Sequence, residues 1–216
     1  MQKKTKSAKK SDEKKENIGD TLQSKINEAL ESSFDMVIAE RKKYYTNNVR
    51  PAIHDVDAII QKYSYINAGI SAAANIVPGP WGLLTVIPEI VAVIRNQLSM
   101  IYDIAAAHGK DKITDKTLLM AVFAVGVGGG ALGLLLIHGG KVIVKRASLR
   151  VLQKIIIMLG GQITQRVLKA VVAKWLPIVG AAAMAVWAKI ATTTIGKRAN
   201  EIYSKDIEKS DEPVSE

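Results

Sequence analysis

The chain contains no cysteine in its 216 residues. This absence excludes disulfide bonds, thiol nucleophiles and cysteine-based zinc sites together. Aromatic residues are also scarce, at 5%, although apolar residues make up 48% of the chain and its mean hydropathy is +0.12. A core must therefore be built from Ala, Ile, Leu and Val, which favours closely packed helices in one domain.

Acidic residues are absent from most of the second half of the chain. None lies between Asp115 and Glu201, a stretch that holds 12 lysines and arginines. The remaining residues include 18 basic and 20 acidic ones, so the net charge of +10 comes wholly from this stretch. We expect it to face an anionic membrane surface. Nucleic-acid binding is disfavoured because the basic residues alternate with Ile, Leu and Val, not with the polar and aromatic side chains that contact bases.

The two ends of the chain differ from its middle in composition. Residues 1–16 are rich in lysine and lack an apolar segment, so we expect no signal peptide. We predict that residues 1–19 form a disordered tail, with an electrostatic arm for lipid or nucleic acid as the alternative. Residues 204–216 are acidic and polar, which predicts a second tail. Residues 20–203 then form the helical domain.

Apolar residues recur at steps of three and four along this domain, a spacing typical of amphipathic helices. The first helix spans about residues 21–45, and two more flank a proline-glycine corner at residues 78–80. Asn67 lies on an apolar helix face, where we expect it to hydrogen-bond to another helix. Gly109 fits the left-handed position that follows a helix. With no strand pattern found, the predicted fold is all-α, a compact bundle of six or seven helices with an apolar glycine-rich hairpin.

Residues 118–137 form an uncharged run of twenty residues, which meets the length criterion for a transmembrane helix. Thr114 is the predicted N-cap of this helix. Small residues at four-residue spacing let a second backbone approach closely. We therefore predict helix packing at Gly126, Gly130 and Gly133.

A basic amphipathic helix is predicted next, from about residue 142 to a break at the Gly160-Gly161 pair, with helical spacing resuming beyond it. Its basic residues lie beside an apolar stripe. They form either a solvated face of a core helix or a face that contacts anionic lipid. The candidate lipid-binding residues of this region are Lys141, Lys145, Arg146, Arg150, Lys154, Arg166, Lys169 and Lys174.

The residue types that commonly carry catalysis or bind ligands are not spaced here as a metal site or a phosphate-binding loop requires. His54 and Asp55 do not converge as metal ligands on a helix, whereas His108 and His138 precede glycines and suit helix C-termini. The glycine-rich run lacks the lysine-serine ending of a phosphate-binding loop. We therefore predict no cofactor, no metal site and no enzymatic activity.

Two charged residues, Glu89 and Arg95, interrupt an apolar helix. They lie six positions apart and do not pair along one helix. We favour pairing with another helix over a functional polar site.

Two blocks of sequence carry a resemblance to a known family. The first runs from a small-residue segment through two prolines to the motif Gln-x-x-Met-Ile-x-x-Ile-Ala-x-x-His-Gly, and the second has Pro-Ile-Val-Gly-Ala followed by Ile-Gly-Lys-Arg-Ala. These blocks resemble the EcsC family and its relative, the domain of unknown function number 697, whose first motif ends in Tyr-Gly. The motif residues in this chain are Asn75, Pro78, Pro80, Gln97, Met100, Gly109, Pro177, Gly180 and Gly196.

The resemblance implies membrane association, no established activity and a GTPase as one candidate partner. Together with the charge map, it leads to the hypothesis of a non-enzymatic helical protein on the cytoplasmic side of the cell membrane, or in the cytoplasm. The protein would bind anionic lipid of the inner leaflet through basic helices and an apolar hairpin, and serve a GTPase or transport partner. The alternative is a soluble helical bundle that acts as a protein-interaction module. Basic residues in every connecting segment predict that both ends and all loops stay on the cytosolic side.

Overall fold

The computed structural model describes residues 2–73, 87–130, 133–174 and 180–214. The predicted proline-glycine corner at residues 78–80 and the motif residues Asn75 and Pro177 lie outside these ranges.

Six α-helices and a small sheet make up the described part of the chain. Their bounds are Gln2–Asn47 (α1), Val56–Ala73 (α2), Ile87–Ala107 (α3), Lys116–Val127 (α4), Leu149–Lys174 (α5), Gly180–Tyr203 (α6), Leu135–His138 (β1), Lys141–Arg146 (β2) and Asp206–Pro213 (β3). A 3-10 turn at Ile53–Asp55 precedes α2. The predicted helical bundle is therefore confirmed in outline.

The apolar stripe of α1 packs into the core as its spacing predicts. Leu22, Ile26, Leu30 and Phe34 repeat every four residues and are fully buried. The helix ends at Asn47, close to its predicted end, but it begins at Gln2. Most of the range predicted to be a disordered tail thus belongs to this helix.

The two central helices are α3 and α4. Helix α3 contacts α1, α2, α4 and α6, and residues 118–124 of α4 are all fully buried. The N-cap of α4 is Asp115, whose carboxylate accepts a hydrogen bond from the Leu118 amide at 3.0 Å. The predicted cap, Thr114, instead donates its hydroxyl to the Lys110 carbonyl. That prediction was wrong because the carboxylate one position later reaches the free amide.

The uncharged run 118–137 does not form one long helix. Helix α4 ends at Val127, and Gly128, Gly130 and Gly133 have φ angles of 83°, 70° and 72°. These left-handed conformations suit glycine and break the helix. By length and composition, α3 is the one helix of the described residues that is apolar enough to cross a membrane, and 61% of its apolar window is buried inside the protein.

A three-stranded sheet corrects the all-α prediction. Strand β2 is central, pairs antiparallel with β1 and parallel with β3, and connects to β1 through the Gly139-Gly140 turn. Val142 and Val144 face the core while their neighbours are more exposed, an alternation with the period of a strand. The predicted polar tail also differs from the structure, because residues 206–213 form β3.

Helix α5 continues through the Gly160-Gly161 pair, where a break was predicted. A Cβ atom at Gly160 would lie only 1.8 Å from Oδ1 of Asn27 on α1. The glycine therefore serves close contact between two helices and does not end either of them.

Candidate membrane-docking surface

Strand β3 returns acidic residues to the basic strand β2. Lys141 donates to Glu208 at 2.6 Å, and Lys145 pairs with Glu212 at 3.3 Å. The hydrogen bond and charge of Glu208 raise the pKa of Lys141. The stretch that is free of acids in sequence is thus partly neutralised in space, and two of the eight candidate lipid-binding residues already have acidic partners.

The outer surface of α5 combines exposed cations with exposed aliphatic side chains. Arg150, Lys154, Ile157, Met158 and Lys169 lie on the same side of the helix, since the positions follow three-residue and four-residue steps. Ile157 is 55% exposed and Met158 is 41% exposed. We call these five residues the α5 face. Helix α5 contains no acidic residue along its length, so its surface is positively charged and partly apolar.

Three further candidate lipid-binding residues are not part of this face. Arg146 is exposed at the end of β2, and Lys174 is the last residue of α5. Arg166 is exposed, but its guanidinium donates to the Val127 carbonyl at the C-terminus of α4. Arg166 therefore also connects α5 to the end of a core helix.

Exposed apolar residues occur on both α2 and α6, two helices that pack against each other. On α6, Val186, Trp187 and Ile190 are 56%, 38% and 60% exposed, and on α2, Tyr65 and Ile66 are 61% and 41% exposed. We call these five residues the apolar patch. The ammonium of Lys189 lies 4.2 Å from the centre of the Tyr65 ring, a cation-π contact. Aromatic rings beside lysine are typical of side chains at a membrane interface.

A buried polar network joins α2, α3 and α6 near this patch. The Asn67 side chain donates to Thr192 at 3.0 Å and accepts from Asn96 at 2.9 Å, while Gln97 donates to Thr192 at 3.2 Å. Asn67 and Thr192 are fully buried. The prediction that Asn67 hydrogen-bonds to another helix is confirmed.

A second buried network joins α1, α2 and α3 around Asp103. Its carboxylate accepts hydrogen bonds from the hydroxyls of Tyr45 and Tyr63, each at 2.8 Å, and lies 3.5 Å from Arg41. Burial raises the pKa of Asp103 by more than Arg41 and the two hydroxyls lower it, so the pKa is raised overall. Burial also raises the pKa of both tyrosines. Sequence analysis missed this network because its members are far apart in the chain, although Asp103 stands out as the only acid among the buried residues of α3.

The glycines predicted to mediate helix packing have different environments. A Cβ atom at Gly126 would lie 3.1 Å from the Cα atom of Ile195, so α4 and α6 approach closely there. Gly130 has no atom within 4 Å of such a position, and Gly133 would contact Val214 at 3.3 Å. Because α4 ends at Val127, these three glycines do not share a helix face.

Five of the family-motif residues lie within the described ranges, in the core, at helix ends or at a helix contact. Gln97 belongs to the polar network, Met100 is fully buried, and Gly180 begins α6. Gly109 has a φ of 68°, as predicted for the residue after a helix. A Cβ atom at Gly196 would lie 2.7 Å from the Ile60 side chain, which makes Gly196 a close contact between α2 and α6.

The charged residues Glu89 and Arg95 of α3 and the histidine that follows it have these positions in the structure. Arg95 donates to Glu40 of α1 at 2.9 Å, so it pairs with another helix as expected. Glu89 is half-buried beside a cavity. His108 lies 2.7 Å from Asn200 of α6. Within the described ranges, no three His, Asp or Glu side chains are grouped so that they could hold a metal ion.

Comparisons with family models, with curated proteins and with solved structures find no match.

Proposed function

We propose that this chain is a non-enzymatic, membrane-associated helical protein that binds the anionic cytoplasmic leaflet. The α5 face carries the proposal, because it joins three exposed cations to exposed Ile157 and Met158 on a helix without acids. Such a helix surface suits the boundary between headgroups and acyl chains. The resemblance of the chain to the EcsC family supports the same role. It is also the basis for proposing a GTPase or transport protein as partner.

The expected binding energy is modest and depends on salt. Each Lys or Arg close to an anionic leaflet contributes about 1 kcal/mol, so Arg150, Lys154 and Lys169 together supply about 3 kcal/mol. This corresponds to roughly a hundredfold in affinity. The apolar patch supplies the second contribution by burying Trp187 and Ile190 in the interface.

The core position of α4 determines which parts of the protein meet lipid. Residues 118–124 are fully buried among other helices, so this part of the uncharged run does not contact the membrane in this fold. The proposal therefore assigns lipid binding to surface helices, and it requires no segment to cross the bilayer.

Vesicle cosedimentation tests the electrostatic part of the proposal. We expect binding to vesicles of phosphatidylcholine with phosphatidylglycerol, loss of binding at high salt, and little binding to phosphatidylcholine alone. The triple variant Arg150→Gln, Lys154→Gln, Lys169→Gln should lose roughly a hundredfold in affinity. A matched control with the same charge loss replaces Lys25, Lys42 and Lys43 of α1 by Gln and should bind almost as the parent does.

The outcomes separate the two interpretations of this surface. Equal losses in both triple variants would mean that net charge and not the α5 face governs binding. Equal binding to neutral and anionic vesicles would refute the electrostatic mechanism. A monodisperse protein that binds neither vesicle would favour the soluble protein-interaction module.

A further inference from the structure

We propose that a narrow cavity between the helices of the bundle binds a single acyl chain of an anionic amphiphile. The inference rests on the proposed membrane function for the source of that amphiphile, which is the lipid leaflet. The cavity has a volume of about 70 Å³ and lies between α3, α4, α5 and α6, with Ser71 of α2 also lining it.

The cavity is elongated along the helix axes. On α3 its lining extends from Glu89 to Gln97, and on α6 from Trp187 to Ile195. Each interval is eight residues, which at 1.5 Å per residue is about 12 Å. A water molecule needs about 10–15 Å³ of such volume, so the cavity holds about five to seven groups of the size of water or methylene, and the remaining carbons of a longer chain lie outside it. A small volume spread over this length fits an extended chain better than a ring.

The inner end of the cavity is apolar and dry. Phe123 is fully buried there, and Ile94 and Ile195 are each 3% exposed. The one amide at this level, that of Gln97, already donates to Thr192. A cavity lined in this way does not retain water, whereas methylene groups fill it without leaving a polar atom unpaired.

Among the described residues, those at the outer end of the cavity are partly exposed and include two charged side chains. Trp187 and Arg166 are exposed there, and Glu89 is half-buried. Among the described residues of the lining, Arg166 is the one cation, and a guanidinium has enough N–H donors to bind an anionic headgroup beside the Val127 carbonyl.

The location of the opening connects the cavity to the proposed membrane surface. Trp187 belongs both to the cavity lining and to the apolar patch. If the patch lies in the headgroup region, the cavity opens toward acyl chains without a path through water. The chain of a lipid then enters the bundle while its headgroup stays beside Arg166.

Titration with decanoate below its micellar concentration tests the site on the detergent-free protein. We expect saturable binding of one decanoate per chain by calorimetry and native mass spectrometry, with a raised melting temperature. Val167→Phe and Ala191→Leu each fill the cavity from a different helix and should weaken binding by about tenfold or more. Val49→Phe, at a 94% exposed position between α1 and α2 and outside the cavity, is the matched control and should bind as the parent does.

A headgroup variant tests the anionic specificity. Arg166→Gln should weaken decanoate binding by roughly tenfold, the effect of losing a hydrogen bond to a charged group, and leave decanol binding unchanged. Equal loss for both ligands would refute a headgroup role for Arg166.

The remaining outcomes keep the two proposals separable. Absence of a one-to-one decanoate complex in the parent protein overturns the acyl-chain site whatever the variants do. So does unchanged binding in a cavity-filled variant that melts cooperatively. Vesicle binding by the parent without decanoate binding would refute the cavity alone, whereas decanoate binding without vesicle binding would refute the membrane function and leave the cavity as a site for a free amphiphile.

Discussion

Alanine in place of Gly126 should reveal how closely α4 and α6 pack. A Cβ atom at this position would lie 3.1 Å from the Cα atom of Ile195 and from two of its side-chain carbons. Because a backbone atom is involved, relief requires a helix to shift, and overpacking of this kind costs about 1–3 kcal/mol. The matched variant is Gly69→Ala on the exposed side of α2, where no atom lies within 4 Å of the new methyl group.

Comparison of these two variants isolates the steric effect. Alanine is favoured over glycine inside a helix by about 0.5–1 kcal/mol, so Gly69→Ala should be more stable than the parent. The same gain occurs at Gly126, and the difference between the variants is therefore the packing cost of about 1–3 kcal/mol. For a chain of this size, that difference lowers the melting temperature by roughly 2–12 °C. If thermal and urea unfolding show Gly126→Ala to be as stable as Gly69→Ala, the close contact between α4 and α6 is wrong.

Three further predictions test other parts of the structure. Asn67→Leu removes two hydrogen bonds and leaves the Asn96 amide without its acceptor, so urea unfolding should show a loss of about 1–3 kcal/mol. A loss no larger than that of an exposed substitution would contradict the network. Burial raises the pKa of Asp103, so its carboxyl stabilises the fold below the ordinary value of 3.8 and loses that effect as the pH rises through its raised pKa. Unfolding measured across this range should therefore show the parent losing stability relative to Asp103→Asn, and parallel curves would refute the shift. Glu208→Gln with Glu212→Gln frees two lysines of β2 and should strengthen binding to anionic vesicles by about fivefold for each lysine that reaches the surface; unchanged cosedimentation would show that β2 does not face lipid.

The long helices were predictable because their spacing and their burial agree. The four-residue repeat of Leu22, Ile26, Leu30 and Phe34 leaves only one side of α1 to bury. The left-handed glycine at position 109 was equally clear, since the apolar repeat stops immediately before it. In both cases local sequence and tertiary packing favour the same structure.

The sheet was not predictable from local pattern alone. Val142, Ile143 and Val144 fit both a helical repeat and a strand, and their pairing with β3 depends on residues more than sixty positions later. The uncharged run 118–137 was misread for a related reason. Hydropathy does not distinguish a helix that crosses a membrane from one buried in protein, and the left-handed glycines that end α4 lie inside the apolar run.

The basic residues of the candidate site were visible in the sequence, but their arrangement was not. Arg150 and Lys154 were predicted on one basic helix, whereas Lys169 was placed beyond a break at Gly160-Gly161 that the structure does not have. The acidic partners of Lys141 and Lys145 could not be foreseen, because they come from a segment that composition marks as a tail. The cavity arises from four helices that are distant in sequence, and none of them shows it alone.

The parallel pairing of β2 with β3 also sets an order for events during synthesis. Strand β2 is translated before α5 and α6, whereas β3 follows them. One edge of β2 therefore lacks its partner while about sixty further residues are made, and an open strand edge is a template for aggregation with other nascent chains. Lys141, Lys145 and Arg146 lie on this strand, and charged residues, lysine above all, discourage edge-to-edge pairing. The positive charge of β2 therefore disfavours edge-to-edge pairing between unfinished chains until β3 brings its acidic partners.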